Sequence, residues 1–525
     1  MKETWILRFL VIFFCILGVM TGCSSQGGVA PTIEKKSQMP TEYPRVASRT
    51  LERLGEWIPA DSRALFVSSY GSLAEAIVQF KAMNWVDATE MAKTLEDLGR
   101  HYHLNPSLLS SWFQAGFHTG SGFVVGLTAE DAIYAIADVW DRTAFRAWWD
   151  HFLLEEYGRP ESRTETAEGV EYVQLKTMHR DAATLVMRGN DPVLVVFGEA
   201  IAGHSMTKSS LEIAKSLKTG LVETSQKLAR WREGASTQPM ALYVHHDVVE
   251  RVLSERWRDV SQFFSGIEVE FGLRDASSSV HLTGMFSEAT LLDGPVEAMA
   301  SKLISNQAEN WSSVIAATSP ASWGRIAFDA ETLESILLPE LSASQRSQYK
   351  KLKDKLTQRL IRIDVSQQVI YNVASVWGAI YEKDDQTFQV VYIPLKSATR
   401  SDAFFSKLNI LKGVIPADKA VLEDANGILH ATIRGETPLH VGYAKGLLAV
   451  TTSEGWDTVE RVFAMTTNSN DVEIKPIAMH VRSRDLSTFI PAFARYLAPY
   501  ASMDLEADVS EDAIEMRLTG VHKSP

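Results

Sequence analysis

The sequence predicts an α+β protein built from two tandem similar modules, mostly antiparallel sheets packed with helices. Three observations carry that expectation. Pairs of segments recur in the same order along the 525-residue chain. Period-two apolar stretches are broken by polar turns, as half-buried strands and their hairpins are. Short amphipathic helices interrupt these meanders without the strict strand-helix alternation of a parallel sheet.

The repeat is the first element to justify, because a missed repeat misreads a whole fold. PADSRALFVSSYGSLAEAI from Pro59 resembles PASWGRIAFDAETLESIL from Pro320: a Pro-Ala start, an alternating run, a polar turn, then a helix. The stretch from Gly122 to Phe152 lies without gaps on that from Gly378 to Leu408, an offset of 256. PVLVVFGEA from Pro192 matches GLLAVTTSE from Gly446, and PMALYVHHDVV from Pro239 matches PIAMHVRSRDL from Pro476. Finally IEVEFGLRDASSSVHLTG from Ile267 lies on MDLEADVSEDAIEMRLTG from Met503, both ending in Leu-Thr-Gly. Common order and near-constant spacing point to an internal duplication.

Within each copy the local pattern is readable. AIYAIADVW and FQVVYIPL alternate as strands, and LTAEDA and EKDDQT before them are hairpin turns. Phe145, Trp148, Trp149, Phe152 and Leu153 then recur at i, i+3, i+4, i+7 and i+8, one apolar helix face. Helices are also expected after Ser72, where Leu73, Ile77 and Phe80 share a face, and over residues 88–99. In the second copy SASQRSQYKKLKDKLTQRL reads as a polar amphipathic helix.

The N-terminus predicts an address. Lys2 and Arg8 form a positive region, an apolar core runs from Phe9 to Val19, and small residues precede Cys23. The core is too short to span a membrane. Val19-Met20-Thr21-Gly22-Cys23 resembles a bacterial lipoprotein signal, with Met20 in place of the usual leucine. That resemblance implies a signal peptide over residues 1–22 and lipid, palmitate among its acyl chains, on Cys23. Ser24 in place of aspartate implies the outer membrane. Residues 23–56 then read as a Gly-, Pro- and Ser-rich flexible tether, 57–290 as the first module, 291–318 as a connecting helix or linker, and 319–525 as the second module.

Composition narrows the function classes. Cys15 and Cys23 are the two cysteines, so the body beyond the signal has neither disulfide nor thiolate zinc site. Removing Lys2, Arg8 and Glu3 with the signal takes the formal charge from -13 to -14. An acidic balance without a long basic run argues against nucleic acid and against charge-driven binding to anionic lipid.

The Pro-Ala-Asp start at Pro59–Asp61, the strand after it, the Ser72-Leu73 helix start and GLLAVTTSEGWDTVERV from Gly446 resemble an uncharacterised exported bacterial family, a domain of unknown function often found behind a signal or lipoprotein peptide. That resemblance implies an extracytoplasmic location and no assigned catalytic residue.

Each candidate site has a structural alternative. AWWDHF could form a sugar-stacking platform, but Trp148, Trp149 and Phe152 fall on Phe404, Phe405 and Leu408, the exchange a buried core permits. Asp138 and Asp141 could act as an acid/base pair; their counterparts are Pro394 and Ser397, and solvated turn carboxylates are the plainer reading. Gly203-His204-Ser205-Met206-Thr207 approaches the G-x-S-x-G elbow, yet Thr207 replaces the last glycine, the copy around Gly455 has no matching serine, and a helix cap at Ser205 or Thr207 is the better account. Gly120, Gly122 and Gly126 have the wrong spacing for a phosphate loop and read as a turn. His101 and His103 suit an exposed helix end better than a metal. His245 and His246 would face opposite sides of an extended segment, leaving Asp247 as a helix cap.

The expectation is thus an envelope lipoprotein with a non-enzymatic binding or scaffolding role in the periplasm or at the cell surface. Its partners would be the membrane through the lipid, and envelope proteins or a hydrophobic ligand. No catalytic, metal or cofactor residue is assigned. The alternatives are an envelope hydrolase with one active half, or a carrier of an apolar ligand in a cleft between the modules.

Overall fold

A computed structural model of the chain describes residues 47–523 apart from 60–61, 83–87, 159–160, 177–180, 190–191, 201–207, 218–237, 249–263, 274–276, 287–309, 333, 335–337, 339–341, 360–368, 384–385, 410–417, 466–474, 486–499 and 510–512. The signal segment, Cys23, Gly203–Thr207 and most of the expected linker lie outside the described residues. The chain divides into two compact units, Met1–Gly284 and Met285–Pro525. It is mixed in class, and every strand pairing whose register is described is antiparallel.

The first unit begins earlier than composition suggests. Helix α1 (Ala47–Leu54) is already part of the fold. Ala47, Thr50 and Leu54 are buried at i, i+3 and i+7, and the Ala47 N–H donates to Gln238 O at 2.9 Å. Three inward residues spaced along one face are enough to dock a helix that also carries Ser48, Arg49, Glu52 and Arg53. Residues 47–54, expected within the tether, are thus part of the described first unit.

Next come β1 (Ala64–Ser69), α2 (Tyr70–Ala82), α3 (Ala88–Tyr102), α4 (Leu109–Gln114), the hairpin β2 (Gly122–Leu127) and β3 (Ala132–Ala137), and α5 (Arg142–Tyr157). Then follow β4 (Glu161–Ala167), β5 (Val170–Lys176), β6 (Asp181–Met187), β7 (Val193–Ala200), α6 (Ser210–Leu217), β8 (Met240–His245), β9 (Phe264–Leu273) and β10 (Ser277–Phe286). Pairing sets the order β4-β5-β6-β7-β3-β2-β1-β8-β9-β10. Because α1 packs on β1 and β2, β1 is buried on both faces. The main core lies on the side of α2 to α5. Gly122 and Gly126, expected in a turn, instead lie in β2. A Cβ at Gly126 would run into the ring of Tyr134 on β3, so only glycine lets that ring cross the strand.

The second unit contains α7 (Asn310–Ala317), β11 (Ser322–Ala327), α8 (Ala343–Arg359), β12 (Ser375–Lys383), β13 (Gln386–Pro394), α9 (Ala398–Asn409), β14 (Ala420–Ala425), β15 (Ile428–Ile433), β16 (Leu439–Ala444), β17 (Leu447–Thr452), α10 (Trp456–Ala464), β18 (Ile477–Arg482), β19 (Tyr500–Val509) and β20 (Ala513–His522). Its order is β14-β15-β16-β17-β13-β12-β11-β18-β19-β20. This is the order of the first unit, strand for strand.

Registers fix which residues correspond. Gly122 faces Ser69 and Ser375 faces Ala327, the last residues of β1 and β11, so Gly122 takes the place of Ser375. The ungapped offset from Gly122 to Gly378 is therefore three positions out in this strand, since 378 - 375 = 3. It recovers beyond the hairpin: the bridge Phe117–Val139 matches Val373–Leu395, both at 256. A longer β12–β13 hairpin absorbs the difference.

Candidate functional site

Two caps set the walls of the most distinctive region of the first unit. At the end of β1 the Ser72 N–H donates to Ser69 Oγ at 3.1 Å, and Ser69 Oγ donates to Ser72 Oγ at 2.8 Å. This turn places Tyr70 at the head of α2, 1% exposed. At α5, Asp141 Oδ1 accepts from Thr143 N and Ala144 N, both at 3.0 Å, a helix N-cap. The cap starts α5 so that Phe145, Trp149, Phe152 and Leu153 are buried, with Trp148 half-buried and its Nε1 donating to Tyr102 O at 2.9 Å. The tryptophans are core, not an exposed platform.

These aromatic residues do not fill the space between sheet and helices. An apolar cavity of about 110 Å³ remains, walled by Tyr70, Trp112, Phe117, Phe145, Trp149 and Phe197 among others. Tyr70 packs its ring against Trp112 at 4.8 Å, Phe123 at 5.3 Å and Phe117 at 5.4 Å. Trp149 meets Phe152 at 5.3 Å and Phe197 at 6.2 Å. A void of this size costs roughly 2–3 kcal/mol at about 24 cal/mol per Å³.

Two of the residues that line it, Tyr70 and Trp149, carry polar atoms that add to that cost. Tyr70 Oη and Trp149 Nε1 are buried, and among the described residues neither has a hydrogen-bond partner. Each unmet donor costs on the order of 1–3 kcal/mol. Burial pushes the Tyr70 phenol well above its ordinary value, and the nearby Asp138 charge pushes it further. It is a neutral donor at any physiological pH.

Asp138 itself is 2% exposed, not a solvated turn residue, and its Oδ2 stands 3.9 Å from His118 Nδ1. Asp138 and Asp141 thus divide into a buried carboxylate and a helix cap, which removes the acid/base pair. The second unit shows how unusual these groups are. The backbone bond from His118 N to Asp138 O (2.8 Å) recurs as Ala374 N to Pro394 O (2.9 Å). Tyr70, which follows the capping Ser69, corresponds to Ala330, which follows the capping Asp329 (Thr332 N donates to its Oδ1 at 2.8 Å), and Trp149 corresponds to Phe405. Four polar side chains of the first unit, Tyr70, His118, Asp138 and Trp149, stand where the second has apolar ones.

The remaining histidine candidates separate. His101 closes on the end of α3 with its carbonyl bound to His151 Nε2 at 2.8 Å, and the His103 and His151 rings lie 4.0 Å apart. Burial and the His151 charge hold the His103 imidazole below its ordinary value. His245, His246 and Asp247 are drawn together at the end of β8, each offering one ligand atom within 4.8 Å of the others. Asp247 has its carboxylate on the two histidines and on Arg63, and the N–H groups that it would cap lie outside the described residues.

One cluster escaped the sequence reading. On the second unit Ser453 Oγ lies 3.0 Å from His440 Nε2, and His440 Nδ1 lies 2.9 Å from His430 Nε2. Ser453 sits between β17 and α10, in Thr451-Thr452-Ser453-Glu454-Gly455, one glycine short of the elbow pattern. This order of serine, imidazole and orienting group is that of an activated nucleophile. Two features separate it from a working site. Ser453 is exposed and belongs to the other unit from the apolar cavity. Glu454, whose carboxyl is held below its usual range by Thr452 and by its own backbone N–H, takes up a donor that an oxyanion would need.

No protein-family model matches the sequence, and no curated protein matches it. Among solved structures, crystal form III of TP0453 is similar at a TM-score of 0.27 and 10% identity, over 47% of this chain and 84% of that one. Crystal form IV of TP0453 gives 0.26 and 11%, over 44% and 83%.

Proposed function

We propose that this chain is an envelope lipoprotein held to the outer membrane through lipid on Cys23, and that its first unit binds a small apolar molecule carrying one hydrogen-bond acceptor. The role is binding rather than catalysis. The observation that carries it is an apolar cavity of about 110 Å³ lined by two residues whose buried donors, Tyr70 Oη and Trp149 Nε1, are unmet among the described residues. A dry apolar cavity of about 150 Å³ is known to take up benzene. A ligand ring or short acyl end with a carbonyl would recover contact enthalpy and satisfy a donor at once.

The site lies inside the first unit, in place of the cleft between modules that the sequence suggests. The common strand order of the two units supports descent from one duplicated module. In that reading the second copy holds the apolar version of the core, with Ala330, Ala374, Pro394 and Phe405 at the four polar positions.

The test is a series of monosubstituted benzenes added to the purified chain, read by thermal shift and by ring-proton NMR. Acetophenone should raise the melting temperature more than toluene does. Tyr70→Phe combined with Trp149→Phe should abolish that difference. If no member of the series shifts the transition, or if the double variant keeps the preference for the carbonyl, the assignment fails.

A further inference from the structure

The end of β8 carries a second site, independent of the cavity. Adjacent residues on an extended strand point to opposite faces, but β8 ends at His245 and the chain turns into helix at His246. That turn swings the two rings to the same side. Their centroids lie 4.3 Å apart at an interplanar angle of 45°. Asp247, the next residue, reaches both: its Oδ1 is 2.6 Å from His246 Nε2 and its Oδ2 is 3.4 Å from His245 Nδ1. Ligand atoms about 2.0–2.2 Å from one tetrahedral ion stand roughly 3.3 Å from each other. The observed separations bracket that value, and all three ligand atoms fall within 4.8 Å.

Charge points the same way. The Arg63 guanidinium stands 3.8 Å from Asp247 and 3.9 Å from Asp131, so two carboxylates share one cation. Glu268 faces Tyr243 across the β8–β9 pair. Among the described residues Asp131, Asp247 and Glu268 outnumber Arg63, and the histidines are half-buried, with His246 Nδ1 shielded from solvent.

The same place in the second unit supplies its own cations. β18 ends at Arg482, followed by Ser483, Arg484 and Asp485. Arg482 pairs with Glu382 at 2.8 Å and with Asp485 at 2.9 Å, and Arg484 pairs with Glu382. Where one unit has two guanidiniums closing an ion-pair network, the other has two imidazoles, which are donors to a metal when neutral.

We propose that His245, His246 and Asp247 bind a single Zn²⁺ ion, with solvent completing the coordination. Two imidazoles and a carboxylate suit zinc over the hard cations magnesium and calcium, which prefer all-oxygen sets. Arg63 stays on Asp131 when the aspartate turns to the metal, which relieves the shared pairing.

The experiment is a competition titration of the chelator-treated full chain with Zn²⁺ against a chromophoric indicator. One equivalent should bind. His245→Ala with His246→Ala should remove it, Asp247→Asn should weaken it at least tenfold, and His103→Ala with His151→Ala should leave it unchanged. Equal binding in the His245/His246 variant, or equal loss in the His103/His151 variant, overturns the site. X-ray absorption on the wild-type chain with one equivalent of Zn²⁺ needs no variant to fold. Two imidazoles in the first coordination sphere are expected, and a spectrum with fewer refutes the proposal.

Discussion

His430 and His440 share a hydrogen bond of 2.9 Å between Nε2 and Nδ1, and the indole of Trp456 lies on the His430 ring at 3.8 Å. Burial holds the His430 imidazole below 6.5, and the His440 charge lowers it further. The unfolded chain takes up this proton near 6.5, the folded chain only at lower pH, so unfolding binds protons in that window. The contribution of neutral His430 is complete above 6.5 and is lost as pH falls towards the folded value. His440→Ala should raise the His430 titration midpoint, followed by ring-proton NMR. An unchanged midpoint would mean that burial alone sets it.

Tyr70→Phe removes a buried donor that has no partner, so the free protein should lose no stability and gain up to about 1 kcal/mol. Ala135→Val, on the cavity wall, should add about 1 kcal/mol by filling space and should weaken acetophenone binding. Urea unfolding monitored by tryptophan fluorescence measures both. A loss of more than 1 kcal/mol in Tyr70→Phe would show that the hydroxyl is satisfied.

Gly116 has φ of 89° and a Cβ there would meet Phe145 N at 2.5 Å, against the backbone of α5. Its carbonyl accepts from Trp140 N at 3.0 Å, which ties α4 to the strand that carries Asp138. Gly116→Ala should destabilise the first unit by about 3 kcal/mol, through strain and displacement of α5. Thermal melts should show one unit unfolding earlier, with the cavity-bound ligand lost first.

Asp485 is buried, accepts from Ser322 Oγ, and pairs with Arg482 at 2.9 Å. Asp485→Ala leaves a half-buried guanidinium with Glu382 as its remaining carboxylate partner. A cost of about 3 kcal/mol is expected, confined to the second unit. Asp485→Asn, which keeps an acceptor for Ser322, should cost less.

Cys23→Ala should abolish incorporation of labelled palmitate and release the chain from the membrane pellet. Persistent labelling would remove the lipid anchor from the account of this protein.

Much of the fold was legible, because periodicity and order are properties of the chain itself. The apolar face from Phe145 to Leu153 and the alternation of AIYAIADVW lead directly to α5 and β3. The start of the fold was not: Ala47, Thr50 and Leu54 hide among polar neighbours in a segment whose composition suggests a linker. The cavity was beyond reach for another reason, since a void depends on how ring shapes meet and leaves no mark on hydrophobicity. For His245 and His246 the outcome turned on a single residue, the one at which extended backbone becomes helical. Ser453 was visible in TTSEG; comparison at the position of Ser205, rather than at the strand-to-helix junction, passed over it.

Strand β4 has a further consequence. Among the described residues it pairs with β5 alone, and its seven residues, Glu161 to Ala167, face solvent almost throughout. Arg163 and Lys215 both hold Glu165, at 3.3 and 2.5 Å, so the open rim of the first sheet is lined with alternating charge. At the other unit's rim Glu423 and Asp424 on β14 do the same work. Such rims deter a neighbouring molecule from adding its own strand. Wherever copies of the chain meet at high concentration, those few charges stand between a field of separate molecules and a growing fibre.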